Sequence, residues 1–100
     1  MRELELAEGA LSDLERIVEF AEANEDGAGR GRVRAILQAL EVLLTSPYIG
    51  RPSRGSRELI IGRGAYGFVA RYRVDEGGER VLILGIRGQR EAGYDSDEDL

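Results

Sequence analysis

One hundred residues, 42% of them hydrophobic and 33% charged, suit one small domain built around one core. The absence of cysteine, histidine and lysine excludes disulfides, thiolate metal sites, an imidazole base and a lysine nucleophile. A net charge of −5 and the charged opening Met1-Arg2-Glu3-Leu4-Glu5, with no run near the ~20 apolar residues of a bilayer span, predict a cytoplasmic protein without a secretory signal.

Arg2 to Leu6 alternates, with Leu4 and Leu6 on one face and charges on the other, and reads as a short strand. Leu11, Leu14, Ile17, Val18 and Ala21 then recur at helical spacing. They predict a helix from Gly9 to Asn24, with Asp13, Glu15, Arg16, Glu19 and Glu22 on its wet side. The glycines of Glu25-Asp26-Gly27-Ala28-Gly29 favour a turn. A second helix is expected from Arg30 to Thr45. Val33, Ile36, Leu37, Leu40 and Leu44 form its stripe, and Arg30, Arg34, Gln38 and Glu41 its outer side. So short a connection makes the two helices antiparallel neighbours. Ser46-Pro47 stops the second helix, because proline disfavours helical geometry in the residue before it. A loop containing Gly50, Pro52 and Gly55 follows.

From Arg57 the period changes to two. Strands are expected over Arg57 to Ile61, Ala65 to Val74 and Arg80 to Arg87. In the second of these, Tyr66, Phe68, Ala70, Tyr72 and Val74 share one face, and Val69, Arg71 and Arg73 the other. Asp75-Glu76-Gly77-Gly78 supplies a hairpin turn. The apolar run Val81 to Leu84 suits a central strand covered on both faces. The resulting order, β-α-α-β-β-β, implies an α+β fold in which a helical hairpin packs on a mostly antiparallel, twisted sheet. The opposite sheet face, with Arg71 and Arg73, is left free.

Charge divides sharply along the chain. Residues 1–50 hold five arginines and ten acids, residues 51–90 nine arginines and four acids, and residues 91–100 five acids and no base. The basic stretch either presents arginines to nucleic acid or an acidic partner or is a solvated face whose arginine stems cover apolar surface. Gly62-Arg63-Gly64-Ala65-Tyr66-Gly67-Phe68-Val69 copies the glycine-rich loop of protein kinases. With no lysine and so short a chain, it reads instead as a turn between strands. Glu15, Glu19 and Glu22 have spacing that a metal could use, yet without histidine they read as a solvated helix face, and neither metal nor cofactor is expected. The segment Ile86-Arg87-Gly88-Gln89-Arg90-Glu91-Ala92-Gly93-Tyr94 sets two arginines and a tyrosine beside the sheet. It is either a clamp for phosphates and a stacking base or a turn that closes the core.

The phrases Ile49-Gly50-Arg51-Pro52, Arg57-Glu58-Leu59, Tyr72-Arg73-Val74 and Ile86-Arg87-Gly88-Gln89-Arg90-Glu91-Ala92-Gly93-Tyr94, in this order of elements, resemble ParE-type toxins of the RelE/ParE superfamily over about Ala7 to Tyr94. The resemblance implies one toxin domain over residues 1–94, followed by an acidic tail at 95–100. It implies a bacterial toxin neutralised by an antitoxin, which alone carries the complex to operator DNA. Two activities compete within the superfamily. ParE-like members poison DNA gyrase and are not enzymes; RelE-like members cleave mRNA on the ribosome. For the first, the resemblance points to Arg63, Arg71, Arg73, Arg87, Arg90 and Tyr94 as target contacts. For the second, Arg87, Arg90 and Tyr94 are the catalytic candidates. Val69 and Gly88 stand where the nucleases carry basic residues, which favours gyrase. A third possibility is a degenerate chain that retains only antitoxin binding. The tail Asp95-Ser96-Asp97-Glu98-Asp99-Leu100 is either a solvated end or a cover that folds back over the arginine face.

Overall fold

The computed structural model describes residues 2–24, 27–62 and 67–88, excluding the side chains of 21–24 and 27–30. Within them run β1 (Glu3–Leu6), α1 (Glu8–Asn24), α2 (Gly27–Val42), β2 (Arg51–Ser53), β3 (Ser56–Ile61), β4 (Phe68–Val74) and β5 (Arg80–Gly88). The strands form one sheet in the order β1-β5-β4-β3-β2. Its pairings are antiparallel except where β1 lies parallel to β5. The chain therefore adopts the expected α+β arrangement of a helical hairpin on a mostly antiparallel sheet, enlarged by one strand.

That additional strand, β2, corrects the loop expected around Pro52. Three residues are too few to show a period of two, and Pro52 is tolerated because β2 is an edge strand, where a missing N–H breaks no ladder. A two-residue turn joins β2 to β3, since Ser53 pairs with Ser56. Both turn residues have positive φ, 47° at Arg54 and 83° at Gly55. Such a turn matches the twist of the flanking strands. Between β3 and β4, the glycine-rich motif connects two adjacent antiparallel strands. It opens no helix, in keeping with a turn, although Arg63 to Tyr66 lie outside the described residues.

The core lies between the helices and one sheet face. Ala10 and Ile17 of α1, Ile36 and Leu40 of α2 and Leu43 just beyond it meet Ile61, Ala70, Tyr72, Val81, Ile83 and Ile86 of the sheet. Two stripe residues are displaced from their expected places. Leu11 and Leu37 are about half exposed, whereas Leu43 is wholly buried. A helical stripe is wide, and where the sheet lies decides which of its flanks is covered. The second helix also begins earlier than expected, at Gly27. It ends earlier too, because the N–H groups of Leu43, Leu44 and Thr45 bond the carbonyls three residues back, a tightened last turn that hands over to Pro47.

Strand β5 is interior, between β1 and β4. Among the described elements only its helix-side face is covered, which corrects the two-sided burial expected for it; Leu82 and Leu84 are half-buried. Its ladder with β4 is irregular. Arg71 pairs with Gly85 but Tyr72 with Ile83, so Leu84 is an extra residue, a β-bulge. Accordingly the inward residues run Val81, Ile83, Ile86, with a spacing of two and then three. Helix α1 seats on this bulge. Asp13, expected on the wet side of the helix, accepts the Ile86 N–H at 2.8 Å through Oδ2.

Long-range hydrogen bonds fix the remaining loops. The Gly50 N–H donates to the buried Tyr72 hydroxyl at 2.8 Å. Arg57 donates to the Gly50 and Tyr48 carbonyls at 2.8 and 3.2 Å and lies over the Tyr48 ring at 5.1 Å. Arg2 donates to the Gly78 carbonyl at 2.8 Å and the Leu44 carbonyl at 2.9 Å. This side chain ties β1 to the β4–β5 turn and to the end of the helical hairpin. In that turn, Asp75 accepts the N–H groups of Glu79 and Arg80 at 2.8 and 3.1 Å. Its carboxyl is held below the ordinary 3.8, chiefly by the Arg80 N–H.

Candidate functional site

The sheet face that no described element covers follows from alternation and register. Ala70 and Tyr72 point to the helices, so Val69, Arg71 and Arg73 point away. Directly paired residues share a face. Arg87 opposite Val69, Leu82 opposite Arg73, and Ile60 opposite Val69 therefore join them, as do Glu58 opposite Arg71 and Arg51 opposite Glu58. At the β1 edge, Glu3 pairs with Arg80 and Glu5 with Leu82 on the same face.

Among the described residues five arginines thus stand on one surface, in two states. Those at its margins are matched: Arg51 lies 3.3 Å from Glu58, and Arg80 lies 3.7 and 3.9 Å from Glu3 and Glu5. Exposed pairs of this kind contribute about 0–1 kcal/mol to stability each, but they neutralise the rim. Arg71, Arg73 and Arg87 are exposed and make no ion pair among the described residues. Glu58 stands directly across from Arg71, yet its carboxylate is taken by Arg51.

The three unmatched guanidinium groups form an oblique row. Arg71 and Arg73 are two residues apart on a strand, roughly 7 Å. Arg87 is the diagonal neighbour of Arg71 across the ladder, again about 7–8 Å away. Beside them the floor is apolar. Val69 is only 6% exposed, Leu82 and Leu84 are half-buried, and Ile60 is 44% exposed. Cations in a row above an apolar floor suit a partner with spaced carboxylates or phosphates and some apolar surface.

Of the six expected target contacts, the fold brings Arg71, Arg73 and Arg87 together. Arg63, Arg90 and Tyr94 lie outside the described residues, as does the tail. The floor of Ile60, Leu82 and Leu84 was missed by sequence reading, although strand register with alternation would have placed it there. Among the described residues, no helix is long and apolar enough to cross a membrane.

Comparison with known proteins gives this arrangement a family. A solved structure of the chromosomal ParDE toxin–antitoxin system of P. aeruginosa superposes with a TM-score of 0.70 and 27% identity, covering 88% of this chain and 96% of the other. A second, from the RelBE2 toxin–antitoxin complex of Mycobacterium tuberculosis, has a TM-score of 0.62 at 19% identity and covers 88% and 98%. At that identity it speaks for the fold alone. Among curated protein sequences there is no significant match. The family model for the ParE toxin of type II toxin–antitoxin systems, parDE, matches residues 4–93. The chain belongs to that family and is a type II toxin of the ParE/RelE superfamily.

Proposed function

We propose that this toxin inhibits growth by binding DNA gyrase through its open sheet face and that a cognate antitoxin neutralises it. The observation that carries the reading is the row of Arg71, Arg73 and Arg87, exposed above an apolar floor and without an ion pair among the described residues. A protein target supplies both carboxylates and apolar surface to such a face. Cleavage of RNA needs, in addition, groups that move protons at one phosphate. The chain has no histidine or lysine for that task, and Val69 fills a central position of the face with an aliphatic side chain. The antitoxin's expected landing place is the groove between the helical hairpin and the sheet. Exposed Leu11 and Leu37 leave apolar surface on the hairpin, which suits an amphipathic segment.

The test is direct. Purified toxin added to gyrase and supercoiled plasmid traps the enzyme on cleaved DNA, and linear plasmid accumulates. Codon-phased cuts in translated mRNA, with no linear plasmid, would establish the nuclease instead. If neither occurs while the antitoxin binds tightly, the chain is degenerate and only the partnership survives.

A further inference from the structure

Of the three arginines on the open face without an ion pair among the described residues, one owes its place to an irregularity in β5. Val81 and Ile83 point to the helices. Strict alternation from them would turn Gly85 and Arg87 inward as well. The extra residue at Leu84 reverses the parity, so that Ile86 is buried and Arg87 pairs with Val69 on the open face. In a strand without the bulge, Arg87 would point at the helical hairpin. A one-residue change of register exchanges the two faces of everything beyond it.

Helix α1 is built to hold that bulge. Asp13 Oδ2 accepts the Ile86 N–H at 2.8 Å, a group on the turned segment itself. A Cβ at Gly85 would meet the same oxygen at 3.3 Å, and a Cβ at Gly9 would meet the Leu84 carbonyl at 3.2 Å. Two positions without side chains therefore allow the helix and the bulge to approach closely. Arg16 reaches Asp13 Oδ1 only at 3.5 Å and from an exposed position, which leaves Oδ2 to the strand.

We infer that Asp13 is a positioning residue for the target-binding face: its carboxylate fixes the β5 bulge and thereby keeps Arg87 beside Arg71 and Arg73. It acts through Ile86 and touches no target. The inference rests on the reading that the open face is the working face, but its structural half is tested without any target.

The chain has no cysteine, so single cysteines report orientation directly. Ile86→Cys is buried and should react slowly with a maleimide, Arg87→Cys should react fast, and Ile83→Cys, on the other side of the bulge, is a buried control. Adding Asp13→Leu removes the acceptor. It should speed labelling at position 86 by about ten- to a hundredfold, the opening expected when a buried N–H loses its partner, with position 83 unchanged. Asp13→Asn retains an oxygen acceptor and should restore slow labelling. If Asp13→Leu does not fold, Asp13→Ser, polar but too short to reach, takes its place. Labelling at 86 as slow with Leu or Ser as with Asp would overturn the inference, and so would equal acceleration at 83 and 86 in a folded variant. A separate gyrase measurement on Asp13→Leu and Asp13→Asn, without added cysteines, completes the test. Locally loosened β5 with undiminished gyrase trapping would refute the functional half. Absence of trapping by the unmodified toxin would instead refute the gyrase reading and leave the labelling result standing.

Discussion

Replacing Gly50 with alanine is a sharp probe of how the loop after the helical hairpin is held. An alanine Cβ there would lie 2.6 Å from the Tyr72 hydroxyl oxygen, 2.8 Å from Tyr72 Cε1 and 2.8 Å from the Glu58 carbonyl. None of the three can easily retreat. Tyr72 is wholly buried, and the Glu58 carbonyl belongs to β3, which is paired on both sides. The loop must lift instead, which strains or breaks the Gly50 N–H bond to Tyr72 and the Arg57 bond to the Gly50 carbonyl. Overpacking costs about 1–3 kcal/mol, and a buried N–H left without its acceptor about 1–3 kcal/mol more. Their sum, about 2–6 kcal/mol, is a large share of the ~5–15 kcal/mol available to a domain. At roughly 4–8 °C per kcal/mol, the midpoint in a thermal melt followed by circular dichroism should fall by about 10 °C or more. In a Tyr72→Phe background the hydroxyl contact is gone, so the same replacement should cost less, a coupling visible in the double-mutant cycle. A melting shift within about 2 °C for Gly50→Ala would refute the argument from close approach.

Further outcomes follow from the same contacts. Arg54 holds a left-handed φ of 47° at the first position of the β2–β3 turn, so Arg54→Asn, which tolerates that conformation, should stabilise the protein by about 0.5–1 kcal/mol in urea unfolding. Arg2→Ala removes two bonds to backbone carbonyls and should destabilise by about 1–2 kcal/mol after allowance for partial solvation, measured the same way. Asp75 is stabilised in its charged form, with a folded value below 3.8. Its contribution is therefore complete above about pH 4 and lost as pH falls through the folded value. Asp75→Asn mimics the protonated state, so its melting temperature should lie below that of the unmodified chain at pH 7 and converge with it as pH falls through the folded value.

Helices and strands were legible because their apolar periods are long and unmixed. Four of the five strands and both helices follow from spacing alone, and Pro47 marks the end of the helical hairpin. What the letters hide is geometry set by distant segments. Leu11 and Leu37 belong to apolar stripes, but the placement of the helices on the sheet leaves them in water. The bulge in β5 falls within the apolar stretch from Val81 to Ile86, where a slip of one residue leaves no trace in the pattern. For the same reason Asp13 reads as a wet-side carboxylate until the N–H it accepts is seen. The candidate site was legible in part. Arg71 and Arg73 alternate with the core residues of β4, and Arg87 stood out in the segment that follows the last strand, but its place on this face depends on the bulge. That these three arginines have no ion pair among the described residues, while Arg51 and Arg80 are neutralised, emerges only from the folded geometry.

The most direct measurement compares the unmodified toxin with an Arg71→Glu/Arg73→Glu/Arg87→Glu variant in gyrase-mediated plasmid cleavage, with circular dichroism and antitoxin binding confirming that the variant is folded. The account predicts linear plasmid with the unmodified toxin and at least a hundredfold loss with the variant, since reversing charges at a complementary interface costs several kcal/mol and each ~1.4 kcal/mol is tenfold. Equal accumulation of linear plasmid by both proteins would contradict it.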